Sequence, residues 1–248
     1  MSYARTLFLS TLLGFAAVSA AHAETIAIIG TGQVASALGP MFAEQGHTIV
    51  YGSRNPDRDT VRELVARTGS GASAAQPAEA AANAEVVMVA VPWDALPDVI
   101  RSLGDLTGKI LIDPTNPRIV GDDGLRDWAH DTSNAQIAQE LAPGARVVKA
   151  LNTMNWRTMV DPMATGGPVS VPVVGDDEEA KAFVVELVDA PGADRLRPAA
   201  LRAHGRRHVH TLGQCDHARE RLQLLPAAGA IERRQPPDIK RTHRGDKT

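Results

Sequence analysis

Two glycines separated by a single residue lie between an apolar run and an amphipathic run near the start of the chain. Gly30 and Gly32 follow the apolar residues 26–29, and Ala35 takes a third small position. Glycine has no Cβ and adopts backbone angles that other residues avoid, so such a turn can bring its amides close to an anion at a helix N-terminus. The pattern predicts a strand, a phosphate-binding turn and a helix.

A second apolar run ends about 20 residues beyond these glycines, where dinucleotide-binding units usually place an acidic residue. An acid there would bond the ribose hydroxyls and repel a 2′-phosphate, whereas an arginine would pair with the phosphate. This chain has Ser53, Arg54 and Asn55 at that point. The residues favour NADP over NAD, and the alternative is that Arg54 is an ordinary solvated loop residue.

The composition narrows the remaining possibilities. The chain has 248 residues, 44% of them hydrophobic, and a formal net charge of −3. It can therefore bury one good-sized core, and it lacks the bulk charge of a nucleic-acid-binding protein. Its single cysteine, Cys215, excludes an internal disulfide and a thiolate cluster, and the sequence has no HExxH or paired-Cys signature. We expect no metal and no nucleic-acid partner.

Residues 1–23 are typical of a secretory signal peptide. Arg5 precedes an apolar run at 7–20, and a small-x-small pattern follows at 21–23. These features predict cleavage before Glu24 and export to the periplasm. A membrane-anchored protein and a cytoplasmic protein with a mis-assigned start are the alternatives.

Strand and helix patterns alternate along 24–194, which we interpret as one NADP-binding domain. The predicted strands after the first two are at 85–91, 109–113, 146–151 and 169–174. The predicted helices after the first are at 76–84, 93–103, 134–141 (capped by Ser133) and 176–190. This alternation predicts an α/β fold, a Rossmann-type doubly wound parallel sheet with ligands at the carboxyl ends of its strands.

Six motifs occur in order between residues 25 and 194. They are IAIIGTGQVASAL, VYGSRNPD, VVMVAVPWDALPDVI, KILIDPTNP, SNAQIAQELAPGARVVKALNTM and VPVVGDDEEAKAFVVELVDA. Together they resemble the deazaflavin (coenzyme F420)-dependent NADP oxidoreductases. The segment is also similar to the cytosolic NADPH-binding domain of the six-transmembrane ferric reductases.

The resemblance implies NADP as cofactor and a role for residues in each motif. The implied cofactor-binding residues are Gly30, Thr31, Gly32, Gln33 and Val34 at the pyrophosphate; Ser53 and Arg54 at the 2′-phosphate, with Asn55 beside them; Val91, Pro92 and Ala95 along the adenosine-side ribose and pyrophosphate; and Asn116, Pro117, Ala150 and Asn152 around the nicotinamide. Arg58 is a further basic residue nearby.

The resemblance also implies the chemistry. Hydride would pass directly between the nicotinamide and a stacked flavin or deazaflavin (F420) ring, so we expect no catalytic side chain. The loop 161–168, with Asn155 and Trp156, could shape the site for this second ring. Three polar residues that attract a catalytic interpretation are instead interpreted as structural: Asp113, His130 and Lys149. The predicted protein is an NADPH-dependent oxidoreductase; the alternative is a non-catalytic NADP-binding protein with a degenerate acceptor site.

The composition changes after Asp194. Residues 195–248 hold 11 Arg and 2 Lys against 5 Asp and Glu, a net charge of +8, which predicts a basic, poorly ordered tail. It could be a basic arm, a solvated extension, or the product of a reading-frame shift near 191–195, which we favour. The family usually ends with a strand and an apolar helix that packs on a partner subunit, so a homodimer is expected only with an intact C-terminus.

Overall fold

The computed structural model describes residues 23–166, 169–189 and 196–202, the last of these as backbone. The predicted signal peptide lies outside the described residues except for Ala23, and so do residues 190–195 and 203–248 around the predicted tail. Within the described ranges, no helix has the length and apolar character needed to cross a membrane.

The strands of the main sheet are β1 (Thr25–Ile29), β2 (Thr48–Gly52), β3 (Ser73–Ala75), β4 (Val86–Val89), β5 (Ile110–Asp113), β8 (Arg146–Lys149), β9 (Val169–Gly175) and β10 (Leu196–Arg202). A separate hairpin consists of β6 (Arg118–Val120) and β7 (Arg126–Trp128). The helices are α1 (Gln33–Glu44), α2 (Asp59–Thr68), α3 (Pro77–Ala82), α4 (Leu96–Ser102), α5 (Asn134–Leu141), α6 (Trp156–Val160) and α7 (Glu178–Asp189). Two 3₁₀ helices occupy Trp93–Ala95 and Pro162–Thr165.

The strand order in the main sheet is β3-β2-β1-β4-β5-β8-β9-β10. Neighbouring strands are parallel except β8 and β9, which are antiparallel. The chain adds strands outward from β1 to β3 and then crosses back to β4 on the other side of β1. This reversal is the switch point at which doubly wound sheets bind dinucleotides. The predicted Rossmann-type α/β fold is confirmed, with one antiparallel pair that the sequence did not predict.

Alternate residues of each central strand enter two separate cores, one on each face of the sheet. In β1, Ile26 and Ile28 pack with α1, α2, α6 and α7, whereas Ala27 and Ile29 pack with α3, α4 and α5. Both faces of β1 are therefore covered, which explains why its sequence is apolar throughout rather than alternating.

Most of β9 extends past the end of β8. Their register joins Gly175 to Val148 and Val174 to Lys149, so residues 169–173 continue beyond the carboxyl end of β8 for about 17 Å at about 3.4 Å per residue. β10 pairs with β9 in parallel over seven residues, from Leu196 to Arg202. β9 and β10 thus form a ribbon, here called the flanking ribbon, that stands beside the carboxyl edge of the sheet.

β10 lies at the start of 195–248, the segment predicted to be a poorly ordered tail. The sheet continues past the change in composition because the edge of β9 offers backbone hydrogen-bond partners to any extended segment. The segment 161–168, predicted as a loop, also contains regular structure: Pro162 begins a 3₁₀ helix, and Gly166 ends it in the left-handed conformation with φ 94°.

Gly39 allows α1 to lie directly over Tyr51 of β2. A Cβ at Gly39 would overlap the Tyr51 hydroxyl and lie 2.7 Å from Cζ. The hydroxyl of Thr68 donates to the Leu64 carbonyl, so the Tyr51 hydroxyl donates to Thr68 Oγ1 at 2.7 Å. Burial raises the pKa of the Tyr51 hydroxyl, which favours its neutral, donating form.

Pro40 interrupts the hydrogen bonding inside α1. Proline has no backbone N–H, so the carbonyl of Ser36, four residues earlier, lacks its helical donor. The guanidinium of Arg67, near the end of α2, donates to this carbonyl at 3.2 Å. The proline therefore creates an attachment point that joins α2 to α1.

Candidate cofactor site

The carboxyl edge of the sheet collects every residue group that the sequence assigned to cofactor binding. These groups follow β2, β1, β4, β5 and β8, which are five adjacent strands. Ligands of doubly wound sheets bind outside this edge, at the switch point between β1 and β4. The site therefore runs from the end of β2 to the end of β8.

Gly30 holds the first turn between the two neighbouring strands. Its φ is 112°, a value that favours glycine, and its N–H donates to the Gly52 carbonyl at 2.9 Å. A Cβ at this position would overlap the carbonyl oxygen of Ala90. Another residue at position 30 would therefore strain the turn and push β4 away.

The N-terminus of α1 is open for an anion. Gly32 is the N-cap residue, and it has no side chain to bond the first amides of the helix. A Cβ at Gly32 would meet nothing within 4 Å, and Gly32 and Gln33 are exposed. The turn and helix end have the free amides and the open space that a pyrophosphate requires.

The loop after β2 is anchored by Ser53. Ser53 is buried; its N–H donates to the Ala75 carbonyl at 2.9 Å, and its hydroxyl accepts from the Asn55 N–H at 3.2 Å. Arg54 and Asn55 are exposed. The anchored serine fixes the point from which the Arg54 side chain reaches into solvent.

Arg58 connects this loop to the glycine turn. Its guanidinium donates to Thr31 Oγ1 at 3.3 Å, across 27 residues of sequence. Arg58 is not among the predicted site residues, although it lies close to Arg54 in the sequence. The signal that identifies it is a basic residue four positions after Arg54, at the N-cap of α2, where the chain turns back toward β1.

The segment after β4 lies against the segment after β5. Val91 is half-buried, Pro92 is exposed, and Ala95 ends the short 3₁₀ helix. Trp93 of the same helix contacts His130 edge to face, with ring centroids 5.8 Å apart. The His130 ring thus packs against Trp93, and its buried Nδ1 has no hydrogen-bond partner among the described residues.

Asn116 and Asn152 form a reciprocal pair between the loops after β5 and β8. The side-chain amide of Asn116 donates to the Asn152 carbonyl at 2.5 Å, and the side-chain amide of Asn152 donates to Asn116 Oδ1 at 3.0 Å. Pro117 is buried beside Asn116, and Ala150 is fully buried. The structure therefore brings together the four residues predicted to surround the nicotinamide.

A buried ion pair lies beneath this asparagine pair. Lys149 Nζ donates to Asp113 Oδ2 at 2.8 Å, and their side chains are 5% and 1% exposed. Lys149 Nζ also donates to the Thr115 carbonyl at 2.8 Å, while the Thr115 hydroxyl donates to Asp113 Oδ1 at 2.6 Å. The amide of Asn134 donates to the Thr115 hydroxyl at 2.7 Å. Both charged groups are therefore engaged with each other.

Asn155 and Trp156 are placed by α6. The Asn155 side chain caps this helix, accepting from the N–H groups of Arg157 and Thr158 at 2.9 and 3.2 Å. The Arg157 guanidinium lies 5.0 Å from the centroid of the Trp156 ring. The Asn155 side chain thus has a local structural role as a helix cap, and the Arg157 guanidinium covers one face of the Trp156 ring. Among the described residues, no cluster of His, Cys, Asp or Glu is arranged to hold a metal ion.

The fold and this edge define the class: the chain is an α/β protein of the NADP-dependent oxidoreductases, with a glycine turn, an arginine-bearing loop and a paired-amide end. Comparison with known proteins supports the assignment. Residues 25–117 match the family described as "NADP oxidoreductase coenzyme F420-dependent". A solved structure from Arthrobacter sp. FB24, a candidate F420-dependent NADP reductase, is 31% identical with a TM-score of 0.66, covering 76% of this chain and 90% of that one. The chain belongs to the F420-dependent NADP oxidoreductase family.

Two curated relatives show how far the similarity extends. Metalloreductase STEAP3 of Rattus norvegicus is 33% identical over 184 residues, which are 73% of this chain and 35% of that protein. The F420-dependent NADP reductase of Methanothermobacter thermautotrophicus is 29% identical over 178 residues, 66% of this chain and 75% of the relative. The chain thus spans about a third of the metalloreductase and three quarters of the F420-dependent enzyme.

Proposed function

We propose that this protein transfers hydride between NADP(H) and a flavin or deazaflavin ring, using the carboxyl edge described above. NADPH, when bound, supplies the hydride; the acceptor ring takes it with its two electrons, and a proton from solvent completes the reduction. The observation that carries the proposal is the Asn116–Asn152 pair, which lies on the same edge as the glycine turn and Arg54.

The residues of the edge fit the groups of NADP. The amides at the N-terminus of α1 suit the pyrophosphate because the helix dipole and the uncapped N–H groups both favour an anion. Arg54 and Arg58 suit the 2′-phosphate because guanidinium groups bind phosphate with two parallel hydrogen bonds. Thr31, which accepts from Arg58, connects these two phosphate positions.

At the other end, the asparagine pair would orient the nicotinamide. Each side chain keeps hydrogen-bonding capacity beyond the pair, since a primary amide has two N–H donors and a carbonyl with two lone pairs. Asp113 and Lys149 are bound to each other, so they hold the loops in place rather than transfer protons. Direct hydride transfer needs orientation and exclusion of water rather than a side-chain acid or base.

The acceptor would bind beside this pair, on the side where the flanking ribbon stands. β9 rises past the end of β8, and Lys149 at that end is followed by Ala150 and Asn152. A flat ring resting between the asparagine pair and the ribbon would face the nicotinamide.

The test is hydride transfer from NADPH to FMN, riboflavin or coenzyme F420 under anaerobic conditions. The transfer is monitored as the loss of the nicotinamide absorbance. We expect turnover with at least one of these rings and a primary isotope effect with NADPH deuterated at C4. Asn152→Ala should slow turnover at least tenfold with little change in NADPH binding, whereas Asn83→Ala, on the surface end of α3, should have no effect. NADPH binding without turnover toward any ring would refute the proposal and favour a non-catalytic NADP-binding protein.

A further inference from the structure

The buried network of Asp113, Thr115, Asn134 and Lys149, here called the strand-end network, lies where two strands finish. Asp113 and Lys149 are the last residues of β5 and β8 and are partners in the parallel register. Burying two ions costs considerable desolvation, and an apolar pair at such a position is often as stable or more so. Stability alone does not account for this choice of residues.

The geometry of Thr115 indicates what the network does. Its N–H and its hydroxyl both donate to Asp113 Oδ1, at 2.8 and 2.6 Å, and its carbonyl accepts from Lys149 Nζ at 2.8 Å. Every backbone polar group of this residue, together with its hydroxyl, is therefore bound inside the network. The next residue is Asn116, so the path of the chain into the asparagine pair is fixed one residue before it.

The other arm of the pair is held from the same source. Lys149 is followed by Ala150, whose N–H donates to the Asp113 carbonyl at 3.3 Å. Leu151 then adopts a left-handed conformation with φ 65°, which is rare for a branched residue and marks a constrained turn. Asn152 follows directly. One ion pair thus holds both loops that meet at Asn116 and Asn152.

We infer that the strand-end network is a positioning device for the nicotinamide: it sets the separation and orientation of Asn116 and Asn152 rather than contacting the cofactor. The inference rests on the proposed function of the asparagine pair. It predicts a separation of effects, because NADPH affinity comes mainly from the phosphates at the far end of the edge. Loosening the network should therefore disturb the nicotinamide while leaving binding nearly intact.

The experiment compares Thr115→Val, which removes only the hydroxyl, with Thr115→Ser, which retains it. Calorimetry gives the NADPH Kd, and fluorescence of the bound nicotinamide reports its immobilisation without requiring an acceptor. We expect Thr115→Val to change the Kd less than about threefold, to lose at least half of the fluorescence enhancement, and to slow hydride transfer about 10- to 100-fold, the range for small misplacements of reacting groups. Thr115→Ser should restore all three values to within about twofold.

A second variant separates positioning from folding. Asp113→Leu combined with Lys149→Met removes both charges together and leaves no unpaired ion. The N–H and carbonyl of Thr115 lose their partners, so the protein should unfold at a somewhat lower temperature, and the assays are run on the folded protein below that transition. It should nevertheless show the same fluorescence and rate defects as Thr115→Val. Wild-type fluorescence and rate in both variants would overturn the inference.

The outcomes also separate this inference from the proposed function. If the wild type binds NADPH but reduces no ring, the acceptor chemistry is wrong, and the fluorescence comparison still decides whether the network positions the nicotinamide. If the wild type does not bind NADPH, both proposals are overturned.

Discussion

Removing the guanidinium groups of Arg54 and Arg58 should change the preference for NADPH over NADH. Both residues are exposed, so each contact with a 2′-phosphate would be screened by solvent and fall at the low end for charge-assisted hydrogen bonds, about 1.4 kcal/mol. That energy corresponds to about tenfold in Kd. Arg54→Gln and Arg58→Gln should each weaken NADPH about tenfold and leave NADH within about twofold.

The double variant should lose less than the product of the two effects. Both side chains would contact one phosphate, and the effects of residues that share a partner are not additive, so we expect a loss of about 30-fold rather than the product of about 100-fold. Raising the ionic strength from about 0.05 to 0.3 M should weaken NADPH binding to the wild type more than to the double variant, because salt screens exposed charges.

Calorimetric titration with both nucleotides at both salt concentrations is the assay. Arg62→Gln is the matched control, since Arg62 is an exposed arginine on α2 that is already paired with Asp59. The reasoning is refuted if the double variant binds NADPH within about twofold of the wild type, or if NADH weakens by the same factor as NADPH. The first result would return Arg54 to an ordinary solvated loop role.

Three further changes test other parts of the structure. Gly30→Ala should cost at least about 2 kcal/mol in the free energy of unfolding and abolish NADPH binding, because the added Cβ meets the Ala90 carbonyl at a positive φ; urea unfolding and calorimetry measure both. Gly39→Ala should cost about 3 kcal/mol through overlap with Tyr51, read as a shifted urea midpoint with NADPH affinity retained in the folded fraction. Burial lowers the pKa of the His47 imidazole. As the pH drops below about 6.5, the imidazole is therefore protonated more readily in the unfolded chain than in the folded one, and stability falls. His47→Gln should flatten this part of the pH profile of urea unfolding.

Two of these changes have a control or an outcome that would contradict them. Gly32→Ala differs from Gly30→Ala because its Cβ meets nothing within 4 Å, so it should fold normally, and a loss of stability as large as that of Gly30→Ala would contradict the argument. For His47, the charges of Glu24 and Glu186 oppose the effect of burial on the pKa. An unchanged slope between pH 7.5 and 5.5 in His47→Gln would show that other groups set the profile.

Local patterns predicted the elements whose signals lie within a few residues. α5 begins and ends where its pattern predicts, because Ser133 and Gln136 form a capping box at its start. The glycine turn was equally readable. By contrast, the sequence analysis does not predict α2, although Val61, Leu64 and Thr68 share its buried face at helical spacing.

Local sequence patterns do not predict contacts between residues that are far apart in the chain. The sequence shows a lysine at the end of an apolar strand, but its partner Asp113 is 36 residues away, and no periodicity joins the two. The contact from Arg58 to Thr31 and the antiparallel direction of β9 are of the same kind. The placement of the predicted residues at one edge of the sheet therefore follows from local patterns, whereas the network that holds this edge required the structure.

Pro40 has a consequence that its position does not suggest. α2 is held at both ends, by Arg58 to Thr31 in the glycine turn before α1 and by Arg67 to the Ser36 carbonyl within α1. A more regular helix former at position 40 would return the Ser36 carbonyl to its own helix and release Arg67. The substitution would lie about 12 Å along the helix from Gly32, at about 1.5 Å per residue, and would loosen the attachment of α2, whose N-cap residue is Arg58. A proline, which usually destabilises a helix interior, here leaves a carbonyl that holds a neighbouring helix in place.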